Sequence, residues 1–390
     1  MRSWLTYIFL SMVACGTVLT SCSEVLSEEG LGTCDDRTTV RLTISFGSDD
    51  DPMSRDVGSD PAPEDDDLDY TTKEQAEIVT GDVYALVVDA TSNNFLYRIK
   101  DLHLEVPDTY DNYYTRTLEG TMIQTTQQVK IVLLANLVQN DIIIDGTALD
   151  SKEDVEAFID KNEGKNVNVN TIYDQLIYNY NYNGTTTPWT LNARRIPMWG
   201  ESQSTTVPPT KSIDLACYLY RAVAKVQIWV DKKNGIDGFV INSITVNNIH
   251  TKGYCVSQAN FDDYSPNYDF NNDNIVDGVK PYLNPWIPTD PGTQNVTYAD
   301  LSVRTYYSDH IYLSEQKNTD TDAVTITINY TYNEEPMVGT IEFMENGIGE
   351  RFDVIRNHSY IFNINKIEEQ TGKLYYYVTW KTEEVNIEFN

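Results

Sequence analysis

The sequence predicts a mainly β protein of two tandem sandwich domains with a few short helices. Four observations predict it. Tyr, Val, Ile and Thr concentrate in the periodic segments, and these residue types suit a pleated, half-buried surface. Several segments alternate apolar and polar residues with a period of two. The chain has 390 residues, enough for two domains. β-rich stretches lie on either side of a Thr-, Pro- and Ser-rich break at 184–209.

The first 22 residues form a secretory signal. Arg2 supplies positive charge, an apolar stretch runs from Trp4 through Val18, and Leu19-Thr20-Ser21-Cys22 closes it. An aliphatic residue, two small residues and a cysteine resemble a bacterial lipobox, with Cys22 as the lipid acceptor. Cys15 is a poorer acceptor, because Met12 stands at the aliphatic position. The apolar run is too short for a stop-transfer helix. The alternative is an ordinary signal peptide with an incidental cysteine. Glu24, Glu28 and Glu29 follow, and this acidic patch looks like the surface-export signal of Bacteroidales lipoproteins. Acyl chains on Cys22 would hold the outer-membrane lipid at about 0.8 kcal/mol per buried methylene.

The formal net charge is −31, which repels polyanions and argues against nucleic acid as a partner. Beyond Cys15 and Cys22 lie Cys34, Cys217 and Cys255. An oxidising compartment permits a Cys217–Cys255 bridge, and two buried thiols are the equal alternative.

Residues 23–37 read as a tether. From Thr38 to Phe46 the alternation is strict, with Val40, Leu42, Ile44 and Phe46 on one face; this is a half-buried strand. Residues 47–69 are rich in Asp, Pro, Ser and Gly and read as an exposed loop in which Arg55 is the lone basic residue. Segments 82–90, 95–106 and 127–137 read as strands, with the very apolar 127–137 central. Ser151 caps a short helix at 151–159, with Asp154 near the capping-box position. Residues 171–182 mix a helical stripe with Asn-Tyr alternation. A long β run spans 213–230 and another 239–249. Residues 258–298 read as a loop insertion, and strands resume at 323–332, 337–345, 351–365, 373–381 and 384–389. No repeat of fixed period is visible, yet the two β-rich halves suggest related sandwiches.

Catalytic patterns are missing. His103, His250, His310 and His358 stand in unrelated contexts, and His358 reads as part of a turn into a strand. The sequence holds no nucleophile elbow, zinc-protease helix motif or Gly-rich phosphate loop. An enzyme is not expected, and no cofactor is expected. One stretch is metal-like: Asp269, Asn271, Asp273 and Asp277 recur as in a calcium loop, but Lys280 stands where a bidentate acid belongs.

Five patterns in order carry a resemblance. They are the lipobox, Val132-Leu133-Leu134-Ala135-Asn136, Ile196-Pro197-Met198-Trp199-Gly200-Glu201, Leu219-Tyr220-Arg221-Ala222-Val223-Ala224-Lys225-Val226, and Ile355-Arg356-Asn357-His358-Ser359-Tyr360-Ile361-Phe362. Together they resemble the fimbrillin superfamily, the subunits of type V pili. Trp199 and the 258–298 insertion depart from the usual pattern. The resemblance implies two transthyretin-like sandwiches, export as an outer-membrane lipoprotein, removal of the first strand by an Arg-specific protease, and capture of a neighbour's strand in an extracellular fimbrium. Its implied partners are further copies of the chain, accessory subunits and a host protein or glycan. The implied division is 1–22 signal, 23–55 propeptide, 56–208 first domain and 209–390 second domain. A non-polymerising anchor or tip component is one alternative, and a glycan-binding surface lipoprotein is another.

The residues give that mechanism a physical basis. Arg55 lies where a protease can extend the backbone, though a solvated loop arginine is the plain alternative. Val385, Ile387 and Phe389 alternate as Leu42, Ile44 and Phe46 do, so the last strand could fill the pockets of the first. An ordinary last strand on its own sheet is the competing reading. Losing Val40, Leu42, Ile44 and Phe46 forfeits roughly 6–12 kcal/mol, at about 1.5–3 per side chain.

Overall fold

The computed structural model describes residues 36–45, 78–105, 115–138, 140–180, 195–209, 212–230, 236, 238–257, 285–299, 307–318, 322–344, 351–368 and 370–382. In chain order the first half contains strands β1 (Arg37–Ser45), β2 (Val83–Asp89), β3 (Phe95–Arg98), β4 (His103–Glu105), β5 (Thr115–Ile123), β6 (Thr125–Ala135), β7 (Ile143–Ile144) and β8 (Thr147–Ala148). Helices α1 (Lys152–Asp160) and α2 (Asn170–Tyr173) follow, then β9 (Ile177–Asn179), β10 (Met198–Glu201), β11 (Thr205–Val207), β12 (Ser212–Tyr218) and β13 (Tyr220–Arg221). The second half contains β14 (Val223–Val230), β15 (Phe239–His250), β16 (Lys252–Tyr254), β17 (Thr293–Ala299), β18 (Tyr307–Ser314), β19 (Thr325–Tyr332), β20 (Glu335–Glu342), β21 (His358–Glu368) and β22 (Lys373–Thr382).

These strands make two β-sandwiches of transthyretin-like type. In the first, a sheet ordered β12-β1-β5-β4 faces one ordered β13-β10-β6-β2-β3, with β11 also on β6. In the second, β18-β14-β21-β22 faces β17-β15-β19-β20. The two share a wiring plan. β1 pairs antiparallel with β5 and parallel with β12, as β14 does with β18 and β21. β2 pairs antiparallel with β3 and β6, as β15 does with β17 and β19, and β6·β10 matches β19·β20. This kinship leaves no fixed sequence period because a sandwich asks only for alternation and turns, not for particular residues.

β6 is central as its composition predicts: Ile131 to Ala135 are all buried between β2 and β10. Asn136 ends it in a left-handed turn at φ 59°, a conformation that Asn tolerates better than most residues. Its side chain donates to Ile196 O at 2.9 Å and accepts from Val79 N–H at 3.0 Å.

Helix α1 carries the expected capping box: Ser151 Oγ accepts from Asp154 N–H at 3.2 Å and Asp154 Oδ2 accepts from Ser151 N–H at 3.1 Å. Its buried face of Val155, Phe158 and Ile159 covers edge strand β3. Arg98 of β3 fixes it there. Its guanidinium grips Asp160 through two bonds of 2.9 Å and Glu156 through one of 2.8 Å.

The structure revises several boundaries. Segment 95–106 is two strands in different sheets, β3 and β4. Residues 171–182 begin with one turn of helix and then form β9. The run 213–230 is not one strand: β12, β13 and β14 lie in three different sheets. The chain therefore passes between sandwiches from Arg221 to Val223, and not near Pro208, because β12 still pairs with β1 and β13 with β10. The expected loop at 258–298 ends in β17, and β21 starts only at His358. Strands β5 and β18 escaped the sequence reading.

Replacing Arg98 by Ala should lower unfolding stability by about 1–3 kcal/mol, since two carboxylates lose their charged donor. Lys at 98 should recover less than half, because an ammonium cannot bind Asp160 through two parallel bonds. Urea unfolding of the three proteins measures both.

Candidate strand-exchange site

β1 is an interior strand, and that placement defines the site. Along one edge it pairs with β12 from Thr39↔Ser212 to Ser45↔Tyr218; along the other it pairs with β5 from Arg37↔Ile123 to Ser45↔Thr115. Its inward residues Val40, Leu42 and Ile44 are completely buried. Each sits between two walls: Val40 between Ile213 and Gly120, Leu42 between Leu215 and Leu118, Ile44 between Cys217 and Arg116. Gly120 is required by close approach, since a Cβ there would stand 2.7 Å from Ile99 Cγ2. Thr38 is also fully buried and donates to Pro208 O at 2.7 Å, tying the start of β1 to the loop before β12.

On the outer face Arg41 reaches Glu119 only at 3.9 Å, with its side chain 55% exposed. Such a pair contributes little. Affinity for β1 therefore comes from the backbone ladders and the inward apolar row, which any strand of matching alternation can supply.

Of the residues singled out by sequence, Val40, Leu42 and Ile44 come together in this slot. Phe46, Cys22, Arg55, Val385, Ile387, Phe389 and the Asp269, Asn271, Asp273, Asp277 stretch lie outside the described residues. The sequence reading missed the walls. Their signal was present: Leu118, Gly120 and Met122 alternate with Thr117, Glu119 and Thr121. Ile213, Leu215 and Cys217 alternate likewise, within a β-rich run that continues to Val230.

Cys217 and Cys255 are separate buried thiols, which removes the disulfide option. Burial pushes both thiols above their ordinary range, so neither is a reactive nucleophile as folded. Among the described residues no group of three His, Cys, Asp or Glu is placed to hold a metal ion. Trp199 is core: it is 1% exposed, its Nε1–H points to Tyr173 Oη at 3.4 Å, and its ring meets that of Tyr173 edge-on at 6.2 Å. Trp229 is buried as well, and Trp286 is stacked face to face on Tyr254 at 3.5 Å.

His358 follows Asn357, which turns the chain at φ 56°, and its Nδ1 lies 2.7 Å from Arg356 O. His250 is buried with Nδ1 3.2 Å from Glu315 O. Burial lowers the pKa of both rings. Beside them Arg356 and Glu315, both almost fully buried, form an ion pair at 2.7 Å.

Neither a family model nor a curated protein matches the sequence. Its neighbours among solved structures include fimbrial and cell-adhesion proteins. One is a fimbrial assembly protein from Parabacteroides distasonis, 14% identical, covering 85% of this chain and 92% of that one, with a TM-score of 0.40. A candidate cell-adhesion protein from Bacteroides eggerthii is 14% identical over 90% of this chain and 93% of its own, at 0.41. The fimbrial anchor protein Mfa2 from Porphyromonas gingivalis is 8% identical over 88% and 98%, at 0.31. The fold and the slot rest on the chain's own strand pairings, not on these likenesses.

The histidines set a pH dependence. Their folded pKa values lie below the unfolded value of 6.5, so the unfolded chain takes up protons first as the pH falls. Stability from these groups is complete above about pH 6.5 and is lost below it. Buried Asp82, whose carboxyl is pushed up by desolvation, acts in the opposite sense. The melting temperature should fall between about pH 7 and pH 5, and His358→Gln should be less stable at neutral pH with a shallower slope. A wild-type profile that rises on acidification would show that the histidines do not dominate.

Proposed function

We propose that this chain is the precursor of a fimbrial structural subunit, anchored through Cys22 at the outer membrane, cut after Arg55, and polymerised by exchange of β1 for a neighbour's C-terminal strand. The interior position of β1 carries this reading. Its departure would remove three fully buried side chains, forfeiting roughly 5–9 kcal/mol at about 1.5–3 each. It would also leave facing rows of backbone donors and acceptors on β12 and β5. A groove of that kind has one good ligand, an extended strand with apolar residues at alternate positions. Val385, Ile387 and Phe389 have that alternation.

The wiring plan supports a single exchange site per subunit. β14 holds the same place in the second sandwich, but it is joined to β13 within two residues and leads on to β15. Freeing β14 would need a cut on each side. Freeing β1 needs only one, in the segment that contains Arg55.

Native trypsin should cut at Arg55 before Arg41, Arg98, Arg221 or Arg356, because the last three are buried and Arg41 is locked in two ladders. Arg55→Ala should abolish polymers and leave a folded, thiol-protected monomer. In the cut and stripped protein Cys217 should react with a maleimide, while Cys255 stays protected; equal protection of both would mean that the slot does not open.

Deleting 385–390 should leave secretion and cutting unchanged and stop elongation. Ile387→Asp should act similarly, since an unpaired carboxylate entering an apolar slot costs several kcal/mol. Glu388→Ala, on the opposite face, should polymerise normally. Normal fibres from the deletion would eliminate C-terminal donation and favour the anchor reading.

A further inference from the structure

We infer that the second sandwich holds the first one folded while the place of β1 is empty, through a clamp across the seam between them. The inference rests on the proposed departure of β1, but the clamp itself is visible in the intact chain. One part of it is a two-stranded ribbon shared by the halves. β9 pairs with β16 through Ile177↔Tyr254, Tyr178↔Gly253 and Asn179↔Lys252. Two backbone bonds extend it, from Tyr180 N–H to Thr251 O at 2.7 Å and from Cys255 N–H to Leu176 O at 2.8 Å.

Tyr178 is the pin through this ribbon. It is fully buried and donates to Ser314 Oγ, at the end of β18, at 2.9 Å. It passes directly over Gly253, where a Cβ would stand 2.2 Å from the Tyr178 hydroxyl; only glycine leaves that path open. The next inward residue, Tyr180, packs against Tyr178 at 5.1 Å and bonds to Asn140. Asn140 in turn donates to Asn136 O at 2.6 Å, at the end of central strand β6. The ribbon is thus fastened at one end to the central strand of the first sandwich and at the other to β18 of the second.

The second part of the clamp is at the chain crossing. Asn357 Oδ1 accepts from Arg221 N–H at 3.2 Å and from Arg221 Nη1 at 3.3 Å, while Asn357 N–H donates to Val223 O at 2.9 Å. Ala222 N–H donates to Pro197 O, just before β10, at 2.9 Å.

Both parts grip the same sheet of the first sandwich. β6, β10 and β13 belong to the sheet that does not contain β1. Departure of β1 therefore strips one sheet while its partner stays pinned to an intact neighbour. An isolated sandwich that lost an interior strand would be expected to unfold, because the burial lost is comparable with a whole domain's stability. Here unfolding of the first sandwich must also break the clamp, which lengthens the interval in which an incoming strand can find a folded groove.

The test needs neither protease nor polymer. In the full chain, Leu42→Asp expels β1 by placing a carboxylate in the slot. Calorimetry should show one transition for the wild type and one, at lower temperature, for Leu42→Asp. Tyr178→Phe and Ser314→Ala, which remove the pin without a steric insult, should each shift the wild type by only a few degrees. Combined with Leu42→Asp, either should split the melt in two, with trypsin digesting the first sandwich below the second transition. Gly253→Ala should act more strongly in the same direction. A double variant that still melts in one step, a Leu42→Asp protein already split or unfolded with the clamp intact, or two separate transitions in the wild type would each overturn the inference. Failure of Arg55 cleavage in cells would sink the maturation reading and leave these melts unchanged.

Discussion

The structure depends on where β1 sits. A strand at the edge of a sheet shares one ladder and can fray at little cost. β1 shares two, one parallel and one antiparallel, and sends Val40, Leu42 and Ile44 into the core. The first sandwich is therefore completed by a segment that lies N-terminal to Arg55 in the sequence. Stability and replaceability meet in the same strand: the forces holding it are backbone bonds and apolar burial, and neither is specific to its own sequence. Among the described residues, the buried Thr38 makes a side-chain hydrogen bond from β1 to Pro208 O.

The rest of the fold supplies what a replaceable strand requires. The walls β5 and β12 are fixed independently, β5 by β4 on its other edge and β12 by a bridge from Cys217 to Ser202. The opposite sheet is tied to the second sandwich through buried Tyr178 and through Asn357. In the second sandwich the corresponding strand, β14, is buried along nearly its whole length and is covalently held on both sides. Under the proposed exchange the same wiring gives one replaceable strand and one permanent one, and the difference lies in the connections, not in the sheets.

Much of this was legible in the sequence, for identifiable reasons. The first strand, central β6 and β15 announce themselves by alternation or sustained apolar character. Ser151 and Asp154 announce α1 because the capping box is a local device. The walls of the slot were harder. β5 carries Gly120 on its inward face, which weakens its apolar signal, although that glycine is there to let Ile99 approach. β12, β13 and β14 read as one strand because only Leu219 and Ala222 separate them, and changing sheets at a sandwich corner needs no Pro or Gly. The clamp was invisible. Tyr178 and Gly253 gain their meaning from each other, at a separation of 75 positions that no local pattern spans. The Cys217–Cys255 bridge failed for the converse reason: composition permits a disulfide, and geometry alone decides it.

The central claim is that the strand completing the first sandwich is exchanged during assembly. Mass spectrometry of the N-terminus of surface-assembled material tests this most directly. The account predicts chains that begin at Asp56 and contain no peptide from residues 37–45. Assembled chains that still carry Val40, Leu42 and Ile44 would contradict it.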